Sequence, residues 1–187
     1  MPIFDPECLS EWSSGQWNSR PMANLNGFNI DSRKLKEGNI FVALKAGRDG
    51  HDFLSAAEEN GAGAGIVEEV RAEIPLPQLL VDNSLTAFHD IAHHHRMRFA
   101  GSVFSITGSC GKTSTKDVLG LLLGFEETLC TEGNFNNHLG VPLTLLKIDG
   151  SLHKNCVIEA GINQIGEMSL LGKTISADVV IVTLIAP

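Results

Sequence analysis

The segment Thr107-Gly108-Ser109-Cys110-Gly111-Lys112-Thr113-Ser114 constrains this chain more than any other. It follows an apolar run, Val103 to Thr107, that reads as a strand. It opens Lys112 to Leu123, where Val118, Leu119, Leu121 and Leu122 suit a helix. A strand, a glycine turn and a helix in that order aim the first backbone amides and the helix dipole at one point, which makes an anion site. At such a site Lys112 would reach the β and γ phosphates of a nucleoside triphosphate, and the Thr113 hydroxyl would ligate the Mg²⁺ between them. The general form of the motif has a glycine five residues before Gly111. Ile106 stands there, so the loop is the compact TGxxGKT version. Cys110 reads as a small residue that lets the loop close, because no basic partner is placed to make it a nucleophile.

The surrounding pattern alternates strand and helix. IFVAL (Ile40 to Leu44) predicts a short buried strand, and Asp52 to Asn60 a helix capped by Asp52. GIVEE (Gly65 to Glu69) and LLVD (Leu79 to Asp82) predict two more strands, separated by a loop holding Pro75 and Pro77. Asn83 or Ser84 caps a helix to about Phe99, with Leu85, Phe88, Ile91 and Ala92 on one face, and Gly101 ends it. CVIEA (Cys156 to Ala160) and VVIVTL (Val179 to Leu184) read as parallel strands covered on both faces. The fold class is therefore α/β: a small mixed α/β N-terminal domain, residues 1–100, then a phosphate-loop domain on a parallel sheet, residues 101–187. The chain ends at Pro187 straight after an apolar strand, and the expectation is that further chain would supply the cover.

With 43% hydrophobic and 19% charged residues, neither disorder nor a fibrous repeat is expected. A formal charge of −8 excludes broad nucleic-acid binding, which needs a basic surface. Any anion must be held locally. No stretch approaches the roughly 18 apolar residues of a membrane span, and a cytoplasmic protein is expected. Cys8, Cys110, Cys130 and Cys156 lack paired spacing and are read as reduced thiols.

Four segments occur in order: TGSCGKTSTKD, GNFNNHLGVPLTLL (Gly133 to Leu146), EAGINQIGEM (Glu159 to Met168) and ADVVIVTLIAP (Ala177 to Pro187). Together they resemble the Mur ligase family. Asp31-Ser32-Arg33, GNIFVAL (Gly38 to Leu44) and DGHDF (Asp49 to Phe53) resemble that family's UDP-binding first domain, so the likeness spans nearly the whole chain. NFNN followed by GVPLTLL favours the member that adds D-alanyl-D-alanine over the one that adds the third amino acid.

The resemblance implies an ATP-dependent, ADP-forming carbon–nitrogen ligase of peptidoglycan synthesis. It would join D-alanyl-D-alanine to UDP-N-acetylmuramoyl-tripeptide through an acyl phosphate, with ATP and Mg²⁺. Carried over by position, Gly108, Ser109, Cys110, Gly111, Lys112, Thr113 and Ser114 bind ATP. Lys112 and Glu159 are catalytic, and Thr113 and Glu159 hold metal. Glu159 also has a reason of its own, since a carboxylate ending an apolar strand needs a cation or hydrogen bonds. Its bland reading is a carboxylate capping the next loop. Asn134, Asn136, Asn137 and Asn163 would line the muramoyl and phosphate passage, although asparagine clusters are also ordinary turn formers. Ser32, Arg33, Gly47 and Arg48 would meet the uridine diphosphate, arginine offering a fork for phosphate oxygens.

Three departures from the family's pattern stand out. His138 replaces an expected acidic residue, and the loop Lys45 to Gly50 is one residue short. The end at Pro187 leaves out a histidine metal ligand, a modified lysine and the third domain, which implies that the chain alone binds nucleotide weakly or not at all and is inactive in ligation. Alternatives are a UDP-sugar or nucleotide binder without catalysis, another Mur ligase specificity, or folylpolyglutamate synthase, against which the DSR segment argues. A metal hydrolase would use His89 and His93, one helical turn apart beside His94 and His95. Asp90 replaces the glutamate of HExxH there, and exposed helix histidines are the favoured explanation.

Overall fold

Short apolar runs broken by glycine, proline and asparagine become the strands, and the longer amphipathic stretches between them become the helices. Residues 2–22, 24–161 and 166–185 are described by the computed structural model, and the chain divides into two compact units, Met1–Ile91 and Ala92–Pro187. The expected boundary lay near residue 100. The division falls instead inside the helix Ser84–Met97.

The first unit opens with β1 (Ile3–Phe4), α1 (Pro6–Ser13) and β2 (Gln16–Trp17), followed by β3 (Leu25–Asn26), β4 (Phe28–Asn29) and β5 (Ile40–Val42). Then come α2 (Leu54–Glu59), β6 (Ala64–Val67), β7 (Gln78–Leu80) and α3 (Ser84–Met97). β1 pairs with β3 in a small antiparallel ribbon. The main sheet has the order β2-β7-β6-β5-β4, with β4 to β7 parallel and only β2 antiparallel. Parallel β4, β5 and β6 therefore release their following loops at one edge of the sheet, the edge where α/β proteins bind ligands. Phe41, Ile66, Leu79 and Phe88 are fully buried around this sheet. Each such side chain contributes about 1.5–3 kcal/mol relative to exposure.

The α-helix expected over Asp52 to Asn60 starts later, at Leu54. A 3-10 turn, Gly50–Phe53, precedes α2, and its cap is Asp49, which accepts from the His51 amide at 3.0 Å. Asp52 lies within the turn. Gly50 makes this possible because its Cα lies against the Leu44 backbone, where a Cβ would come within 2.6 Å of the Leu44 nitrogen. Asn83 caps α3 by accepting from the Thr86 amide at 2.8 Å. Gly101 does not end α3, which stops at Met97; it lets β8 pass the Lys154 carbonyl, 2.2 Å from where a Cβ would sit.

The second unit carries β8 (Ser102–Thr107), α4 (Lys112–Leu123), β9 (Thr128–Cys130), α5 (Gly140–Leu145), β10 (Asn155–Glu159), α6 (Glu167–Ile175) and β11 (Val179–Val182). Its sheet is wholly parallel, in the order β11-β8-β10-β9. β10 is buried, as its apolar run predicts, but β11 is not covered on both faces: Val179, Val180 and Val182 are exposed. Val118, Leu121 and Leu122 of α4 are exposed too. An apolar run specifies a strand; it does not report which neighbours cover it. All four cysteines are free, and among the described residues no helix is long and apolar enough to cross a membrane.

Arg96 ties the second unit together. Its buried guanidinium donates to the Ile175 and Ser176 carbonyls, at 3.1 and 2.8 Å, and to Asp178 at 3.0 Å. Removing it strands the carbonyls at the end of α6, so Arg96→Ala should cost about 2–3 kcal/mol in urea unfolding. The Val103 amide, chiefly, and Arg96 hold the Asp178 carboxyl below the ordinary carboxylate range. A depressed folded pKa means this stabilisation is complete above the unfolded value and is lost as pH falls through the folded one. The wild type should therefore lose more stability in acid than Asp178→Asn.

Candidate functional site

Register places the site. Ile106 of β8 lies opposite Glu159 of β10, so the loop after β8 and the carboxylate ending β10 emerge side by side from neighbouring parallel strands. Gly108 takes φ +134° and Gly111 φ +86°, conformations that other residues rarely adopt. A Cβ on Gly108 would also lie 2.3 Å from the Thr183 hydroxyl. Gly111 is the N-cap of α4 and brings no capping side chain, so the first-turn amides of Lys112 to Ser114 have no capping group from it. Thr107 stands at the base of the turn, and its hydroxyl is buried with no hydrogen-bond partner among the described residues.

The charged groups converge here. Lys112 Nζ reaches back over the turn to the Gly108 carbonyl at 2.6 Å. Glu159 is 2% exposed, a costly place for a carboxylate, and its oxygens accept from the Thr113 hydroxyl and the Asn136 amide, each at 2.9 Å. The backbone amide of Glu159 donates to Thr131 Oγ1 at 2.9 Å, while the Thr131 carbonyl accepts from the buried ammonium of Lys116 at 3.0 Å. Lys116 and Thr131 were not singled out from sequence. The one available signal was Lys116 lying one turn beyond Lys112.

Other expected residues land differently. The Ser109 amide donates to the Leu184 carbonyl at 2.6 Å, so in this conformation that amide is not turned to a ligand. Cys110 is exposed, and its carbonyl accepts from the Thr183 hydroxyl. Asn137 caps α5, its Oδ1 accepting from the Leu139 and Gly140 amides at 3.0 and 2.9 Å. Asn134 is exposed, Asn136 is the asparagine that meets Glu159 among the described residues, and Asn163 lies outside them. His138 pairs with Glu167 at 3.3 Å. The α3 histidines are not uniformly exposed: His89 is 3% exposed, and no cluster of three His, Cys, Asp or Glu able to hold a metal occurs among the described residues.

In the first unit, Ser32 and Arg33 follow β4, and Gly47 and Arg48 follow β5, so both pairs sit at the edge of the sheet where these parallel strands end. Ser32 is buried. Arg33 forks onto Asp31 through two 2.9 Å hydrogen bonds and holds that carboxyl down at about 2. Gly47 has open space around it, and the Arg48 guanidinium lies 6.0 Å over the Phe53 ring.

Comparison with known proteins decides the family. Residues 106–187 match the Mur ligase middle domain. The UDP-N-acetylmuramoyl-tripeptide–D-alanyl-D-alanine ligase of Escherichia coli (strain K12) is 42% identical over 147 residues, covering 78% of this chain and 32% of that protein. The chain belongs to the Mur ligase family. The Bacillus subtilis (strain 168) ligase of the same name is 36% identical over 166 residues, 85% of this chain and 35% of that protein. The chain thus spans about a third of the length of these curated Mur ligases. A crystal structure of MurF from Acinetobacter baumannii superposes with a TM-score of 0.90 at 32% identity, covering 97% of this chain and 41% of that one. MurF ligase from Thermotoga maritima, solved in complex with ADP, gives a TM-score of 0.70 at 35% identity, with 80% and 35% covered.

Proposed function

We propose that this chain holds the UDP-sugar-peptide and ATP phosphate sites of a ligase that adds D-alanyl-D-alanine to UDP-N-acetylmuramoyl-tripeptide in peptidoglycan synthesis. The observation that carries the reading is the Thr113 hydroxyl 2.9 Å from the buried Glu159 carboxylate, beside an uncapped helix start and Lys112. These are hard oxygen donors next to a phosphate cradle. That set suits Mg²⁺, which binds through one or two carboxylates and the phosphates rather than a full protein cage. Thr113 and Glu159 would hold the ion, and the ion would offset charge on the transferring phosphoryl group.

Around it, the chain's own groups divide the work. Gly108, Gly111 and the first amides of α4 receive the triphosphate, with Ser109, Cys110 and Ser114 completing the turn's surface, and Lys112 places its charge on the terminal phosphates. Asn136 orients Glu159. In the overall reaction the substrate carboxylate takes the γ-phosphoryl group, ADP departs, and the amine of D-alanyl-D-alanine displaces phosphate from the acyl phosphate. Ser32, Arg33, Gly47 and Arg48 meet the uridine diphosphate. With ATP and a UDP-activated peptide as reactants, the setting is the cytoplasm.

Calorimetric titration of the 187-residue chain with UDP-N-acetylmuramoyl-tripeptide should show saturable one-to-one binding that UDP competes away. No heat at millimolar ligand would remove the first unit from this role.

A further inference from the structure

The turn carrying Gly47 and Arg48 is anchored from a distant part of the sequence. Its base is closed by a bridge between Lys45 and Asp49, by the Ala46 amide to the Arg48 carbonyl at 3.2 Å, and by the Gly50 amide to the Leu44 carbonyl at 2.9 Å. Below it lies His51, whose side chain is 1% exposed. The His51 Nδ1 lies 2.6 Å from Asp49 Oδ1, and its Nε2 faces the backbone amides of Glu68 and Glu69 at 2.9 and 3.3 Å. A nitrogen facing two N–H donors must present a lone pair, so the ring proton sits on Nδ1 and is donated to Asp49. A second strut runs parallel: Lys45 Nζ meets Glu68 at 3.0 Å, and the same carboxylate accepts from the Ser84 amide at 2.8 Å.

We infer that His51 is a positioning residue for the uridine-nucleotide site: it locks the turn of residues 45–49 to the end of β6, and so sets Gly47 and Arg48 for the ligand's diphosphate. The inference rests on the proposed reading of the first unit as the UDP-binding one. Asp49 fixes the tautomer, and Lys45 with Glu68 fixes the other side of the turn. The ring itself is sealed from solvent, so it acts through the turn and does not touch the ligand.

Side-chain length provides the test. Glutamine can place an oxygen near the Nε2 position and accept from the Glu68 and Glu69 amides; asparagine reaches only the Nδ1 position and keeps Asp49 alone. Calorimetry should show His51→Ala and His51→Asn weakening UDP-N-acetylmuramoyl-tripeptide binding about tenfold or more, with His51→Gln within about threefold of wild type. MgATP affinity should be the same in all four proteins, which separates positioning from general loss of structure. Should the alanine variant not fold, ¹⁵N spectra of the wild-type histidine rings decide, since Nε2 protonation of His51 contradicts the lock. Wild-type binding that His51→Ala and His51→Asn leave unchanged overturns the inference alone. Absence of binding by the wild type sinks the reading of the first unit, and the inference with it.

Discussion

Lys112→Ala should weaken MgATP binding to this chain by about thirtyfold or more, with the fold intact. The ammonium reaches across its own loop to the Gly108 carbonyl, which puts its charge over the space between the two positive-φ glycines. A phosphate in that space would replace the carbonyl as its partner. Hydrogen bonds to charged groups contribute about 1.5–3 kcal/mol each, and a lysine between two phosphates makes more than one. Stability should change by less than about 0.5 kcal/mol, because the side chain is partly exposed and alanine suits the first turn of a helix. Calorimetry and urea unfolding on the same preparations separate these effects. Unchanged affinity would remove Lys112 from the site.

Glu159→Gln should abolish the Mg²⁺ dependence of ATP binding. The glutamine keeps the shape of the carboxylate, and the Thr113 hydroxyl can rotate to accept where it now donates. Only the charge is lost. In the wild type, Mg²⁺ should strengthen ATP binding by about tenfold or more; in the variant, titrations with Mg²⁺ and with a chelator should coincide. Because a buried carboxylate without its cation is itself a cost, the variant should unfold no more easily than wild type, within about 1 kcal/mol. Retained Mg²⁺ enhancement would show that Glu159 serves another purpose.

The strand, glycine turn and helix around Lys112 were legible because three local signals agreed: an apolar run, glycines at the turn, and good helix formers after it. Glu159 was legible for the opposite reason, a conflict between a charged residue and an apolar strand. What was not legible is non-local. Asn136 and Asn137 are the same residue type side by side, yet one meets Glu159 and the other caps a helix. Only the three-dimensional register of β10 separates them. His51 acts on amides 17 and 18 positions away, beyond the reach of any periodicity. The β11 segment reads as covered on both faces, yet Val179, Val180 and Val182 are exposed, because cover depends on what packs there and not on the apolar run itself.

Amide NMR of the ¹⁵N-labelled chain titrated with MgATP tests, at the atoms concerned, that the Gly108 to Ser114 backbone cradles phosphates. The largest shifts should fall on Gly111, Lys112, Thr113 and Ser114, saturate with a single affinity, and vanish in Lys112→Ala at the same concentration. Amides of the loop that stay put at millimolar MgATP, or shifts confined to other parts of the chain, would contradict it.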